Sequence, residues 1–305
     1  MASVNMFDPV SIGSIRTRNR ICIPPMVIYH ISDETGTVKP QNVEHYRALA
    51  RGGAGLIIQE ATCISPEGRL SRDQLGIWSD DQIPGLRNIT EAVHQEGCPI
   101  FVQLHHAGLV SIGTDTLCPS DYAMDTNKGW KNGHEMTRDD IHRIRDAFIQ
   151  AAVRAEKAGY DGVELHGCHG YLLCQFFNNR VNRRTDEYGQ PEKLTLEIME
   201  GIRASVGKNF VLGIRLGAFE PTLEDGIAHA KTLQAHGIQF IDVSYGFTAE
   251  SEPKAPGNPE LLDVIRAAGE IQKRVSVPVF AVNSIRTPAQ AQRILTETGV
   301  SMVDI

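Results

Sequence analysis

The sequence predicts an α/β fold of the (β/α)8 TIM-barrel class, and three observations favour this fold. A helical pattern, a glycine and a short apolar strand follow one another repeatedly, as in 46–60, 89–104 and 152–165. Such alternation is typical of parallel βαβ units. Eight apolar strands can be counted, which is the number that closes such a barrel. No G-x-G-x-x-G motif follows the first of them, so an open dinucleotide-binding sheet is disfavoured.

The eight predicted strands are short runs rich in branched apolar residues. In chain order they are 20–25, 55–60, 99–105, 161–166, 210–216, 239–244, 277–282 and 301–305. Glycines that follow helical patterns are predicted to take left-handed conformations, in which a Cβ would clash. These glycines are Gly53, Gly97, Gly159, Gly207, Gly237 and Gly299.

The clearest helix is predicted over 138–158. Its apolar residues recur at intervals of three and four and form one stripe. Thr137 and Asp140 predict a capping box at its start, with Asp in place of the usual Glu. The polar stretch before it, 109–136, is predicted to be a long loop on the catalytic face, forming a lid or a substrate rim.

The chain is predicted to be a single domain over 1–305, because it holds no linker and no low-complexity segment. The sequence ends at Ile305, inside or just after the eighth predicted strand. We therefore expect a barrel that is truncated after its eighth strand, with the eighth helix missing.

Composition excludes several classes of protein. The net charge is −7 with no basic cluster, which argues against a nucleic-acid partner. No apolar run approaches the roughly 20 residues that cross a bilayer. The amino terminus lacks a cleavable leader pattern, so we expect a cytoplasmic protein. The six cysteines are scattered, which predicts reduced thiols and no iron–sulfur cluster.

The segment DGVELHGCHGYLL, at 161–173, is the most informative stretch for function. A predicted strand ends at His166, and His169 and Tyr171 follow in the loop. Polar groups at the carboxyl end of a barrel strand are typical of an active site. Two imidazoles and a phenol could polarise one oxygen and deliver one proton. A histidine pair that only caps the loop, or a metal site, fits the spacing equally well.

Other predicted strands end in residues that could line the same site. The first ends in 24–26, where prolines remove amide donors and leave an apolar surface. The second ends in 60–62, with a small residue in the middle. Gln103 offers an amide donor and acceptor, and Arg215 offers a permanent positive charge. Each residue alone fits a structural or a functional role, and their shared position at strand ends favours function.

Taken together, the motifs resemble the old yellow enzyme family of FMN-dependent ene-reductases, including its 2,4-dienoyl-CoA-reductase-like branch. The matches extend along nearly the whole chain. They are PPM at 24–26, GLIIQEATCISPEGR at 55–69, LGIWSDDQIPGL at 75–86, IFVQLHHAG at 100–108, DGVELHGCHGYLL at 161–173, NRRTDEYG at 182–189 and GIRL at 213–216.

The resemblance implies an oxidoreductase with FMN as cofactor and NADH or NADPH as reductant. Its substrates would be activated C=C bonds of α,β-unsaturated carbonyl or enoyl compounds. His166 and His169 would bind the carbonyl oxygen, Tyr171 would protonate the α-carbon, and Tyr29 would line the substrate pocket. No metal is implied. We expect a homo-oligomer that acts on small molecules and has no nucleic-acid or membrane partner.

The resemblance also implies which residues hold FMN. Around the ring these are Pro24, Pro25, Met26, Val27, Ala61, Gln103 and Arg215. The phosphate would be held by a turn after the seventh strand that contains Asn283 and Ser284, and by a Gly-Arg pair beyond Ile305. Asn283 and Ser284 stand where the family commonly has glycines. Val27 stands where the family often has Cys or Thr, and Leu109 replaces a common arginine.

Two alternatives stay open. A chain that truly ends at Ile305 would bind FMN weakly or not at all, and the protein would then be an inactive barrel relic; flavin absorbance would distinguish this case. The second alternative is a metal-dependent hydrolase with His166 and His169 as ligands and His105 or His106 as a third. Metal analysis would decide that case.

Overall fold

The eight predicted strands close into one parallel barrel. The computed structural model describes residues 4–113, 116–126 and 129–305. The barrel strands are β1 Ile21–Ile23, β2 Leu56–Cys63, β3 Ile100–His105, β4 Gly162–Gly167, β5 Val211–Gly217, β6 Ile241–Ser244, β7 Val279–Ala281 and β8 Met302–Asp304. Each pairs in parallel with the next along the chain, and β8 pairs with β1. The predicted fold class is therefore confirmed.

The helices lie between the strands, as the alternating pattern predicts. They are α1 Pro40–Arg51, α2 Ile83–Gln95, α3 Arg138–Lys157, α4 Leu172–Phe177, α5 Lys193–Ser205, α6 Leu223–Ala235, α7 Asp263–Gln272 and α8 Pro288–Thr298. The connection between β4 and β5 holds two of them, because the short α4 precedes the barrel helix α5. Helix α4 begins directly after Tyr171, so it forms part of the carboxyl end of the barrel.

Local signals in the sequence explain how most helices begin and end. The capping box of α3 is confirmed, since the Thr137 side chain accepts from the Asp140 amide and the Thr137 amide donates to the Asp140 carboxylate. Five of the six predicted left-handed glycines have positive φ, and the prediction for Gly207 is wrong. Helix α5 ends at Ser205 and is followed by Val206 in an extended conformation, so no left-handed glycine ends it. The Gly207 amide donates instead to Glu156 Oε1 at 2.7 Å.

The predicted loop at 109–136 contains a small sheet, so that prediction is wrong in part. Its strands are Thr116–Cys118, Tyr122–Thr126 and Gly129–Glu135. Alternate residues Tyr122 and Met124 are partly buried against an apolar cluster that includes Leu109 and Phe247. The polar composition hid this alternation, which is the period of a half-buried strand.

Aromatic packing fills the amino end of the barrel. Phe240 stacks on Phe101 and on Phe280, with ring centroids 5.3 and 5.0 Å apart. A hairpin of Ser11–Ile12 and Ile15–Arg16 adds Ile12 to the same buried cluster. The amino end of the barrel is therefore closed by an apolar cluster. Across the described parts of the chain, none of the helices combines the length and apolar content that crossing a membrane requires.

Candidate active site

Buried polar side chains from neighbouring strands meet at the carboxyl end of the barrel. Gln103 on β3 pairs in register with Glu164 on β4, and His166 on β4 pairs with Arg215 on β5. Arg215 in turn pairs with Asp242 on β6. All five residues are buried. The structure therefore places Gln103, His166 and Arg215 at one end of the barrel, as the sequence predicts.

Three imidazoles and a hydroxyl form a continuous chain of contacts in this region. His105 Nδ1 lies 2.9 Å from His166 Nδ1, and His166 Nε2 lies 3.3 Å from His169 Nδ1. His169 Nε2 lies 2.7 Å from the hydroxyl oxygen of Ser244, at the end of β6. From the sequence, His105 was predicted only as a possible metal ligand, and Ser244 was not predicted to lie in the site. Their contacts depend on strand pairing, which no local motif reveals.

A strained turn brings His169 back against His166. His169 has a φ of 59° and Gly170 a φ of 73°, so two successive residues take left-handed conformations. Such backbone angles in a residue other than glycine are uncommon and are found at functional sites. The His169 amide donates to the carbonyl of Tyr245, the residue that follows β6, at 3.0 Å, and this hydrogen bond anchors the turn.

Tyr171 lies beside the imidazoles. Its ring centroid is 4.7 Å from that of His166, 6.1 Å from that of His169 and 4.6 Å from that of His105. The three residues predicted to be catalytic are therefore clustered. Burial, with smaller contributions from Cys168 and Tyr29, raises the pKa of Tyr171 to about 12. The phenol therefore keeps its proton at neutral pH and can donate it.

The surroundings of the imidazoles disfavour their charged forms. The His169 side chain is exposed to solvent at the mouth of the site, but the packing around its ring and, to a smaller extent, the charge of Arg215 still lower its pKa. Burial also lowers the pKa values of His105 and His166 well below the ordinary range, and the neighbouring imidazoles add to this effect. Because a neutral imidazole carries a single proton, each ring has one donor nitrogen and one acceptor nitrogen.

Gln103 and Arg215 are held in place by carboxyl groups that sequence analysis did not identify. Gln103 Nε2 donates to Glu164 Oε1 at 2.8 Å, while Gln103 Oε1 is buried with no hydrogen-bond partner among the described residues. Arg215 Nε lies 2.9 Å from Asp242 Oδ2. This contact is an ion pair whose angles fall outside those of a hydrogen bond.

Asp304 on β8 is also buried at this end of the barrel. The Arg215 guanidinium is therefore the one positive charge among the described residues near three buried carboxyl groups, those of Glu164, Asp242 and Asp304. Burial raises the pKa values of Glu164 and Asp304 well above the ordinary range, and the charge of Asp242 reinforces the shift. We assign the negative charge to Asp242, which is the carboxylate paired with Arg215. In the sequence, these carboxyl groups could have been noticed as acidic residues within otherwise apolar predicted strands.

The loop after β1 forms another wall of the site. Pro25 is buried, whereas Met26 and Tyr29 are 71% and 52% exposed. The loop is attached to β2 through Glu60, whose Oε2 accepts from the Ile28 amide at 2.9 Å. Ala61 follows Glu60 and is buried. Pro24 and Val27 are half-buried in the same loop.

The turn after β7 has an unusual backbone. Asn283 and Ser284 have φ values of 101° and 55°, so both take conformations that glycine adopts more easily. A cavity of about 240 Å³ lies beside this turn and is lined in part by both residues and by Arg293. Successive amides in such a turn can form a concave anion site.

These observations fit FMN. The unpartnered Gln103 Oε1 could accept from the imide edge of a flavin, and Arg215 could face its carbonyl region. Met26 offers an exposed apolar surface, and Ala61 leaves room for a flat ring. The positive-φ turn at Asn283 and Ser284 suits a phosphate group. All residues predicted to hold the cofactor therefore lie on the loops and strand ends described above.

The same loop offers a possible set of metal ligands. The ligand atoms of His166, Cys168 and His169 all lie within 4.8 Å of one another. The third ligand atom is thus Cys168 Sγ, whereas sequence analysis considered His105 or His106 for this role.

Comparisons with known proteins address the family directly. The profile of the NADH:flavin oxidoreductase / NADH oxidase family matches residues 5–305. An NADH oxidase of Thermoanaerobacter brockii is 36% identical over 99% of this chain and 48% of that protein. An NADPH dehydrogenase of Geobacillus sp. (strain WCH70) is 34% identical over 98% of this chain and 88% of that protein.

A solved structure agrees with these relatives. The old yellow enzyme homologue of Zymomonas mobilis superposes with a TM-score of 0.81 at 29% identity, over 99% of this chain and 88% of that one. The chain spans about half the length of the Thermoanaerobacter protein and most of the length of the other two. The resemblance to the old yellow enzyme family is thereby confirmed, and the chain belongs to the NADH:flavin oxidoreductase / NADH oxidase family.

Proposed function

We propose that the protein is an FMN-dependent oxidoreductase that uses NADH or NADPH to reduce activated C=C bonds of α,β-unsaturated carbonyl or enoyl compounds. Family membership supports the cofactor and the reductant. The observation that carries the proposed substrate class is the pair His166 and His169, whose nitrogens lie 3.3 Å apart beside Tyr171. The predictions of a homo-oligomer and of a cytoplasmic location remain predictions.

The imidazole pair binds and polarises the substrate. Two nitrogens 3.3 Å apart can both donate to one oxygen at ordinary hydrogen-bond distances. Reduction at the β-carbon moves negative charge onto the carbonyl oxygen. Donors positioned at such an oxygen contribute about 3–4 kcal/mol each. The two rings are fixed before substrate arrives, one on a barrel strand and the other in a strained turn.

Tyr171 supplies the proton for the α-carbon. Its raised pKa, about 12, keeps it protonated at neutral pH, and its ring packs against the imidazoles that bind the oxygen. A positioned general acid contributes about 10²–10⁴-fold to the rate. Tyr171 and the imidazoles therefore act on adjacent atoms of the same conjugated system.

The residues that would hold FMN are those already described at the strand ends. Gln103 and Arg215 would bind the polar edge of the ring, and Pro25, Met26 and Ala61 would contact its plane. Pro24 and Val27 would complete the loop, and Asn283 and Ser284 would bind the phosphate. When bound, FMN supplies the hydride transfer that no side chain can perform.

The test is an anaerobic assay of the FMN-loaded protein with NADH or NADPH and cyclohex-2-enone. We expect reduction to cyclohexanone, and an enone Kd raised at least tenfold in the H166A/H169A double variant. His142→Ala, at an exposed position of helix α3, is the control. A protein that retains flavin yet leaves the enone unchanged would contradict the proposed substrate class.

The two alternatives predict different measurements. An inactive barrel relic would show no flavin absorbance after incubation with FMN. A metal-dependent hydrolase would contain a stoichiometric metal ion bound through His166, Cys168 and His169, and its activity would be lost on chelation. The family match favours the flavin chemistry over both.

A further inference from the structure

The contacts of His105 and Ser244 lie behind the two imidazoles that are proposed to bind the substrate. We propose that His105 and Ser244 are positioning residues that determine which ring nitrogen of His166 and His169 carries the proton. Through them, both rings present an N–H to the carbonyl oxygen. This inference rests on the proposed function and deepens it.

The question of tautomers arises because the rings are neutral. A neutral imidazole has one N–H, and the hydrogen bond made by one nitrogen determines which nitrogen carries that proton. His166 Nδ1 faces His105, and His169 Nε2 faces Ser244. The nitrogens that face each other across 3.3 Å, His166 Nε2 and His169 Nδ1, are those available to a ligand.

In the resting protein, the hydrogen bonds run in one direction along the chain of contacts. His105 Nε2 is buried with no partner within the described part of the chain. A buried N–H without an acceptor is costly, so this nitrogen carries the lone pair and His105 Nδ1 carries the proton. His105 then donates to His166 Nδ1, His166 Nε2 donates to His169 Nδ1, and His169 Nε2 donates to the Ser244 hydroxyl.

A carbonyl oxygen placed between the two rings requires donors on both sides. His166 already presents its Nε2–H, because His105 occupies its other nitrogen. His169 must present Nδ1–H, so one proton leaves its Nε2 and one arrives at its Nδ1 by exchange with water, with no change in charge. The Ser244 hydroxyl rotates at the same time and becomes the donor to His169 Nε2. A hydroxyl can fill both roles, since it can accept or donate.

The decisive measurement reads the ring nitrogens directly. The oxidised FMN holoenzyme is labelled with ¹⁵N-histidine, and nitrogen chemical shifts are recorded with and without cyclohex-2-enone. No reductant is present, so no turnover occurs. We expect His166 to carry its proton on Nε2 in both samples. His169 should shift from the Nε2–H form to the Nδ1–H form when the enone binds.

Variants separate positioning from packing. His105→Phe fills the same space without a donor, and should leave His166 in a mixture of tautomers and raise the enone Kd about tenfold. His105→Asn restores a donor near Nδ1 and should restore both readouts. His142→Phe replaces an exposed histidine of helix α3, outside this chain of contacts, and should change neither.

Ser244 is tested in the same way. Ser244→Ala should abolish the tautomer shift of His169 and raise the enone Kd several-fold, whereas Ser244→Thr keeps the hydroxyl and should preserve both. Resting tautomers of His105 or His166 opposite to those assigned would overturn the inference. The inference would also be overturned if both His105→Phe and Ser244→Ala left the histidine tautomers and the enone Kd unchanged. Absence of enone reduction in the wild type would contradict the proposed function alone, because the resting tautomers are read without catalysis.

Discussion

Arg215 Nε lies 2.9 Å from Asp242 Oδ2, and both side chains are buried at the carboxyl end of the barrel. Burial alone would lower the pKa of Arg215, but Asp242 and the other nearby acids raise it, so the guanidinium stays charged. From the sequence, Arg215 was predicted to present a permanent positive charge to the flavin. The structure adds a carboxylate that neutralises part of that charge.

We predict that Asp242→Asn raises the reduction potential of bound FMN. The substitution removes a negative charge beside Arg215 and keeps the shape of the side chain, so the reduced, anionic flavin is stabilised. An increase of about 30 mV corresponds to tenfold in a two-electron equilibrium, and we expect at least this. The potential is measured by equilibration with a reference dye. Asp304→Asn is the matched control, because burial raises the pKa of Asp304 and keeps it neutral. An equal shift in both variants would contradict the assignment of charge to Asp242.

We predict that Tyr171→Phe slows enone reduction about 10²–10⁴-fold, because the phenol is the general acid. Reduction of the flavin by NAD(P)H should be unchanged, and stopped-flow measurement of the two half-reactions tests this. Since the pKa of Tyr171 is about 12, the wild-type rate should show no loss of this acid up to about pH 10. A variant that loses both half-reactions equally would point to a structural role.

Glu60 should make stability depend on pH in an unusual direction. Burial raises the pKa of Glu60 to about 7, although the Ile28 amide and the Tyr46 hydroxyl favour its charged form. The folded protein thus binds the proton more tightly than the unfolded chain does. The free energy of unfolding is highest below about pH 4.5 and falls as pH rises to about 7, by at most about 3 kcal/mol.

Glu60→Gln removes this titration and tests the prediction. Between pH 5 and pH 8, the free energy of unfolding of the wild type should fall by about 2–3 kcal/mol relative to that of the variant. Urea titrations at fixed pH values provide the measurement. Glu91→Gln, on the exposed face of α2, is the control and should track the wild type. A constant difference across this range would mean that Glu60 does not titrate there.

The sequence predicts the barrel well, because its signals are local. Apolar runs mark the strands within a few residues, and β2 alone extends clearly further than predicted, to Cys63. The clustering of His166, His169 and Tyr171 is also predictable, since His166 lies near the end of one strand and the other two follow it within five residues. A capping box and glycines with positive φ fix the helix ends for reasons that neighbouring residues supply.

The residues behind the site could not be predicted in the same way. His105 reaches His166 only because β3 and β4 are adjacent, and Ser244 reaches His169 because a turn folds back onto β6. Glu60 was predicted to be the last residue of the second strand, whereas that strand continues to Cys63 and encloses Glu60 among eight buried residues. Tertiary contacts, which have no sequence period, determine these roles.

The turn after β7 yields the last prediction. Asn283 has a φ of 101°, a conformation that costs a residue with a Cβ more than it costs glycine. Asn283→Gly should therefore raise the free energy of unfolding by about 0.5–1 kcal/mol, and Asn283→Val should lower it by about 1–3 kcal/mol. Urea titrations with unchanged m values measure both. Asn209→Gly is the control, because this exposed residue does not have a positive φ. Glycine there should lower the free energy of unfolding, because it increases the conformational entropy of the unfolded chain. A loss of stability at both positions would mean that the Asn283 backbone is unstrained.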